Sequence, residues 1–254
     1  MEHLVRHAVT IIRERFWEPL TLDDLAQSVM LSKYHFLRVF SRVTGVTPGR
    51  FLTAVRLQEA KRLLLSTPLN VADVSARVGY SSTGSFTRRF TESVGLSPTQ
   101  YRRLSVAARG GPGEPELAEA LPATAAPPPA AGSTGSVTGV LHAPGIDVST
   151  VYVGAFDGAI LQGVPASWSK ARAPGDFTLA RVPEGTWYIH AVAEGADPAD
   201  TGGPERSLLM ATFGPVRVQS RTGRPLDITL SPMDWTRPPI LTALTGLAPQ
   251  PLAA

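Results

Sequence analysis

The chain has 254 residues, 43% hydrophobic and 18% charged, with 23 Gly, 23 Pro and no Cys, a length that fits two ordinary domains. Without cysteine there is no disulfide framework and no thiolate metal site, which fits a reducing compartment. The net charge of +3 divides unevenly: residues 1–109 carry 16 Lys and Arg against 8 Asp and Glu, and residues 110–254 carry 8 against 13. Such asymmetry reads either as a basic module that meets a polyanion or as a solvated basic surface without a partner. Arg13 and Arg15 interrupt the early apolar run 8–12, so no secretory signal is expected. The longest uncharged stretch, 120–146, is full of Pro, Gly, Ser and Thr and cannot be a membrane helix. A cytoplasmic protein with no membrane partner is the expectation.

Helical punctuation opens the chain. Leu4, Ala8, Ile11 and Ile12 share one face of a first helix, which Pro19 stops. Thr21 with Asp24 three residues on predicts a capped short helix ending near Val29. Ser32 is placed to cap the next helix, which buries Phe36, Val39, Phe40 and Val43 and ends at Gly45. Thr47-Pro48 restarts the chain as a helix over 48–65 that buries Phe51, Val55 and Leu63.

The same grammar then repeats. Asn70 and Asp73 take the places of Thr21 and Asp24, and Leu25, Ala26 and Val29 recur 49 residues later as Val74, Ser75 and Val78. Phe36, Arg38, Phe40, Gly45 and Pro48 recur 50 residues later as Phe86, Arg88, Phe90, Gly95 and Pro98, so the second copy has one extra residue in its turn. A short capped helix, a tight turn and a longer helix with an outward arginine form a helix-turn-helix pattern. The joining helix, 18 residues over 48–65, spans about 27 Å when straight. Successive major-groove segments on one face of a duplex lie about 34 Å apart, so the strut suits two recognition helices in neighbouring grooves.

Residues 3–104 resemble the DNA-binding domain of the AraC/XylS family of transcription regulators. The resemblance rests on Leu25-Ala26, Ser32 with Arg38 and Phe40, Gly79-Tyr80-Ser81, the run Phe86 to Phe90, Gly95-Leu96-Ser97-Pro98, and Tyr101-Arg102. It implies a seven-helix, double helix-turn-helix fold with double-stranded DNA as partner and RNA polymerase as a second one. Carried over position by position, Tyr34, Leu37 and Arg38 of the first unit face base edges, as do Thr83, Gly84, Thr87 and Arg88 of the second. Arg38 and Arg88 stand out, because a guanidinium pairs bidentately with guanine O6 and N7 for about 1–3 kcal/mol of discrimination. Lys33, Arg42, Ser85 and Arg89 are expected at phosphates, which fix register without reading sequence. For Arg42 and Arg89 an intramolecular ion pair is the alternative.

Three positions depart from the family pattern. Leu37 stands where many relatives have a polar side chain, which leaves it a thymine methyl or nothing to read. Ser82-Thr83-Gly84 is a run of small residues, so base readout in the second unit leans on Arg88. Met30 replaces the turn glycine of the first unit; either the position keeps a positive φ at a cost of roughly 1 kcal/mol or the turn is reshaped.

Residues 107–134 are dominated by Ala, Pro and Gly, including Pro127-Pro128-Pro129, and read as an extended spacer with at most a turn of helix over 116–121. The domains expected are therefore a helix-turn-helix domain over 1–106, a linker over 107–134, a β-sandwich over 135–231 and a Pro/Ala-rich tail over 232–254, partly docked. Strands are expected at 136–141, 150–156, 176–181, 186–193, 208–213, 215–219 and 226–230, punctuated by Gly and Pro as in a small all-β Greek-key sandwich. Gly175 to Leu179, followed by Val182-Pro183-Glu184-Gly185-Thr186-Trp187-Tyr188, resembles carboxypeptidase-regulatory or transthyretin-like sandwich domains, which are interaction modules. Tyr152, Trp168, Trp187 and Tyr188 either line a small-molecule or protein ligand surface or fill core and edges. The acidic loop 194–205, with Asp197 and Asp200, fits no EF-hand spacing and reads as a solvated loop.

Catalysis has no motif in its favour: there is no G-x-S-x-G elbow, phosphate-binding glycine loop or H-E-x-x-H. His3 and His7 are spaced i, i+4 without an apparent third ligand, so they read as exposed helix residues and no metal or cofactor is expected. The sequence thus points to a sequence-specific regulator with an accessory sandwich for interaction or sensing. The alternative is an adaptor whose sandwich binds protein or carbohydrate and whose helices bind DNA only weakly.

Overall fold

A computed structural model describes residues 1–108, 133–145, 148–195, 207–220 and 223–243. The expected helical turn at 116–121, Asp197 and Asp200, and residues 244–254 of the tail lie outside the described residues. The chain divides into two compact units. Among the described residues no helix is long and apolar enough to cross a membrane.

The first unit holds seven helices: α1 Glu2–Glu14, α2 Leu22–Ser28, α3 Lys33–Thr44, α4 Pro48–Ser66, α5 Val71–Arg77, α6 Thr83–Val94 and α7 Pro98–Ala108. α1 buries Val5, Ala8, Val9 and Ile12. Leu4 and Ile11 are only half-buried, so its inner face is rotated from the one the apolar spacing suggested. α2 opens on a complete capping box, in which Thr21 Oγ1 accepts from Asp24 N–H while the Asp24 carboxylate accepts from Thr21 N–H. Asn70 Oδ1 caps α5 by accepting from Asp73 N–H at 2.9 Å. Both recognition-type helices end at a left-handed glycine, Gly45 after α3 and Gly95 after α6. Ser32 occupies the N-cap of α3 but makes no capping side-chain hydrogen bond, whereas Ser82 accepts from Ser85 N–H.

The duplication extends into the core. Phe36, Phe40 and Phe51 form an edge-to-face chain with ring centroids 5.5 and 5.7 Å apart. Phe86, Phe90 and Tyr101, each 50 residues later, form its counterpart at 5.6 and 5.7 Å. Between the two clusters α4 is buried on nearly all sides, Gln58, Glu59 and Lys61 included. That is why its sequence lacks a polar stripe: a helix packed all round shows no amphipathic period. Residues 160–163 and 234–243 also belong to this unit. Ile240, Leu241 and Ala243 are buried in it, and Arg6 stacks on the Trp235 ring at 4.7 Å.

The second unit is a two-sheet sandwich of eight strands among the described residues. These are β1 Thr134–His142, β2 Val148–Phe156, β3 Ser167–Ala173, β4 Gly175–Pro183, β5 Gly185–Gly195, β6 Ser207–Val218, β7 Leu226–Thr229 and β8 Ser231–Pro232. One sheet has the order β4-β1-β7 and the other β3-β2-β5-β6-β8. All pairs are antiparallel except β1 with β7. Leu141, Val151, Val153, Leu179, Ile189 and Leu209 are among the core side chains.

Three strands differ from the sequence reading, the short β8 among them because the expected runs end at Leu230. β3 has no counterpart in it, because Ser169, Ala171 and Ala173 face inward while Trp168, Lys170 and Arg172 are exposed. Residues 208–213 and 215–219, expected as two strands, lie on one strand, β6, that carries Pro215 within it and ends at Val218. The chain passes this point through a register shift opposite Trp187 and Ile189 and a positive φ at Gly214. β8 covers β6 only at Leu209 and Met210, so the missing Pro215 N–H costs no ladder bond on that side.

Candidate nucleic-acid interface

Each helix-turn-helix unit has a short capped helix, a turn and an exposed longer helix. In both turns the backbone pattern is the same. Met30 N–H donates to Gln27 O and Leu31 N–H to Ala26 O; Gly79 N–H donates to Ala76 O and Tyr80 N–H to Ser75 O. Met30 has φ 55° and Gly79 φ 83°, so the first turn keeps its left-handed residue without a glycine. Met30 is also 90% exposed, directly before α3.

On α3, Tyr34, Leu37 and Arg38 fall at i, i+3 and i+4 and share a face. Tyr34 is 77% exposed, Arg38 is exposed and Leu37 is half-buried. On α6, Thr83 aligns with Thr87 and Gly84 with Arg88, all exposed except the half-buried Thr87. A Cβ at Gly84 would meet only the Ser82 Oγ, at an ordinary contact distance of 3.7 Å. Lys33 pairs with Asp23 at 3.5 Å, and Arg89 with Glu92 at 3.5 Å. Both pairs are solvent-exposed, and such pairs contribute little and leave the cation free to exchange partners. Arg42 and Ser85 are exposed.

Two further arginines have a different task, which spacing alone did not reveal. Arg56 on α4 donates from Nε to Phe16 O and from a terminal nitrogen to Glu18 O, both at 2.7 Å. Arg102 on α7 donates likewise to Leu64 O at 3.0 Å and Leu69 O at 2.6 Å. Each guanidinium therefore pins the carbonyls that lead into a short capped helix, α2 or α5. Arg56 also lies 5.9 Å from the Tyr80 ring, and burial lowers its pKa. Desolvation raises the Tyr80 phenol in turn.

Residues 25–104 match the family model described as a helix-turn-helix domain. The helical unit is an AraC-type helix-turn-helix domain. This AraC-type domain is 32% identical over 98 residues to the lactose operon transcription activator of Staphylococcus xylosus, covering 39% of this chain and 35% of that one. It is 33% identical over 101 residues to the melibiose operon regulatory protein of Escherichia coli K12, covering 40% and 33%. Among solved structures, the DNA-binding domain of AdpA, a global transcriptional factor in complex with a target DNA, is 30% identical. That alignment covers 42% of this chain and 97% of the other at a TM-score of 0.41. The chain spans about a third of the length of these curated relatives.

The sandwich aromatics lie on β2, β3 and β5, with Tyr188 opposite Phe156. Trp187 Nε1–H donates to Pro183 O at 2.7 Å, which ties it to the β4–β5 turn. Trp168 lies opposite Gly154, and Lys170, opposite Tyr152, stacks over the Tyr152 ring at 5.7 Å. His3 and His7 are exposed on α1.

Proposed function

We propose that the chain is a sequence-specific transcription regulator that sets α3 and α6 into successive major grooves of one asymmetric DNA site. The observation that carries this reading is the paired arrangement of Arg38 and Arg88, exposed at equivalent positions of two duplicated helices joined by α4. At 19 residues α4 is about 28 Å long, a strut on the scale of the ~34 Å groove repeat. Arg38 and Arg88 then read bases, with Tyr34, Leu37, Thr83, Gly84 and Thr87 shaping the contact. Lys33, Arg42, Ser85 and Arg89 hold phosphates and make affinity fall with salt. The two relatives named above are themselves operon regulators. The sandwich is an accessory for interaction or sensing.

Selection of duplexes from a random pool by the full-length chain tests this. Arg88→Ala is expected to erase preference in one half of the site and leave the other half intact. Unchanged preference in both halves would refute the assignment of α6 as a reader.

A further inference from the structure

The carbonyl end of α6 is closed by residues that lie far along the chain. Gly163 N–H donates to Ser93 O at 2.5 Å, and Ala243 N–H donates to Val94 O at 3.1 Å. These are carbonyls of the last turn, which a helix cannot satisfy from within. The two donor segments also hold each other. Leu161 O accepts from Leu241 N–H at 2.9 Å, and the Thr242 hydroxyl donates to Gly163 O at 3.2 Å. On the adjoining helix, Lys61 Nζ donates to Ile240 O at 3.0 Å. Gly163 has φ 72°, and a Cβ there would stand 3.2 Å from Glu92 O, so the backbone seats closely against α6. Ser93, Val94, Leu241, Thr242 and Ala243 are all buried.

The first helix-turn-helix, that of α2 and α3, gives the comparison. α3 and α6 share a local closure, Gly45 N–H donating to Ser41 O and Gly95 N–H to Thr91 O, each at 2.9 Å. What sets α6 apart is the additional pair of donors that segments 160–163 and 240–243 bring to Ser93 O and Val94 O.

We propose that Gly163, Thr242 and Ala243 are positioning residues for DNA reading by the second helix-turn-helix, that of α5 and α6, only. This rests on the reading of α3 and α6 as DNA readers. Held at its C-terminal end, α6 has a fixed tilt, and the Arg88 guanidinium stands where a bidentate contact to guanine is in reach. Released, α6 pivots about its aromatic contacts with Tyr80 and Tyr101, and a contact that tolerates only tenths of an ångström is lost.

The test uses the full-length chain in duplex selection, with Arg38→Ala and Arg88→Ala marking the two halves of the site. Ala243→Pro removes the N–H that bonds Val94 O, and Ala243→Gly keeps it. Thr242→Val removes the hydroxyl at nearly constant volume, and Thr242→Ser keeps it. Ala243→Pro and Thr242→Val are expected to lower preference about tenfold in the Arg88 half and less than about twofold in the Arg38 half. Ala243→Gly and Thr242→Ser are expected to match the parent. If Ala243→Pro loses its helical circular dichroism, the Thr242 pair decides. Equal loss in both halves, or undiminished preference in the Arg88 half, would overturn the proposal. A parent chain that enriches no sequence would instead overturn the DNA-reading assignment beneath it, which keeps the two failures apart.

Discussion

Met30 and Gly79 hold the same place in the two turns, and both have a left-handed backbone, although only one is a glycine. The first turn thus stores the strain of an L-residue at positive φ, while the second avoids it. Met30→Gly is expected to raise stability by about 0.5–1 kcal/mol, net of the backbone freedom a glycine regains when unfolded. Gly79→Ala is expected to destabilise by more than this, because its Cβ would lie 2.6 Å from Trp17 O in addition to the strained φ. Urea unfolding of the full chain measures both. A fall in stability for Met30→Gly would show that its side chain contributes more than the strain costs.

Arg56 and Arg102 are structural cations, unlike the exposed Arg38, Arg42, Arg88 and Arg89 of the same domain. Each makes two charge-assisted bonds to backbone carbonyls. Arg102→Ala is expected to cost about 2–3 kcal/mol of stability, since a charged donor is lost and two carbonyls are left without it. The salt dependence of DNA affinity is expected to keep its slope in this variant. For Arg42→Ala or Arg89→Ala the opposite holds: stability unchanged, and a slope shallower by about one unit per phosphate contact removed. Binding titrations between 50 and 200 mM salt, run beside unfolding curves, separate the two roles.

Lys61 gives the helical unit a pH dependence of predictable sign. Burial lowers its ammonium from 10.5 to about 7. The buried group faces the Ile240 and Thr242 carbonyls and the Tyr101 ring. From pH 7 to 10 the unfolded chain still holds the proton that the folded chain has released. Stability therefore rises with pH in that window, by up to about 1.4 kcal/mol per unit, and this contribution is flat below pH 7. Above pH 10 the trend reverses, because burial also raises the Tyr101 phenol and the unfolded tyrosine ionises first. Lys61→Met is expected to remove the rise, as seen in urea midpoints at pH 7 and 9.5. A rise of equal size in the variant would assign it to another group.

What the sequence discloses is what short-range chemistry decides. Thr21 with Asp24, Asn70 with Asp73, and the glycines at 45 and 95 act within a turn of their own helix, so the duplicated pattern and the AraC/XylS likeness can be read directly. The exposed faces of α3 and α6 follow from the same spacing. Lys61 could not be placed, because its acceptor at Ile240 lies 179 residues away. Arg56 and Arg102 look like DNA-binding cations until the carbonyls they meet are seen. β3 is silent because its inward residues are serines and alanines, which carry no hydrophobic signal. Pro215 reads as a break, although a strand with one free edge tolerates it.

The central claim is that one chain reads two grooves, and duplex selection by the full-length protein at physiological salt tests it most directly. The account predicts a single asymmetric site spanning about two helical turns, with Arg38→Ala and Arg88→Ala each erasing a different half. Enrichment of no sequence, or loss of the same half in both variants, would contradict it.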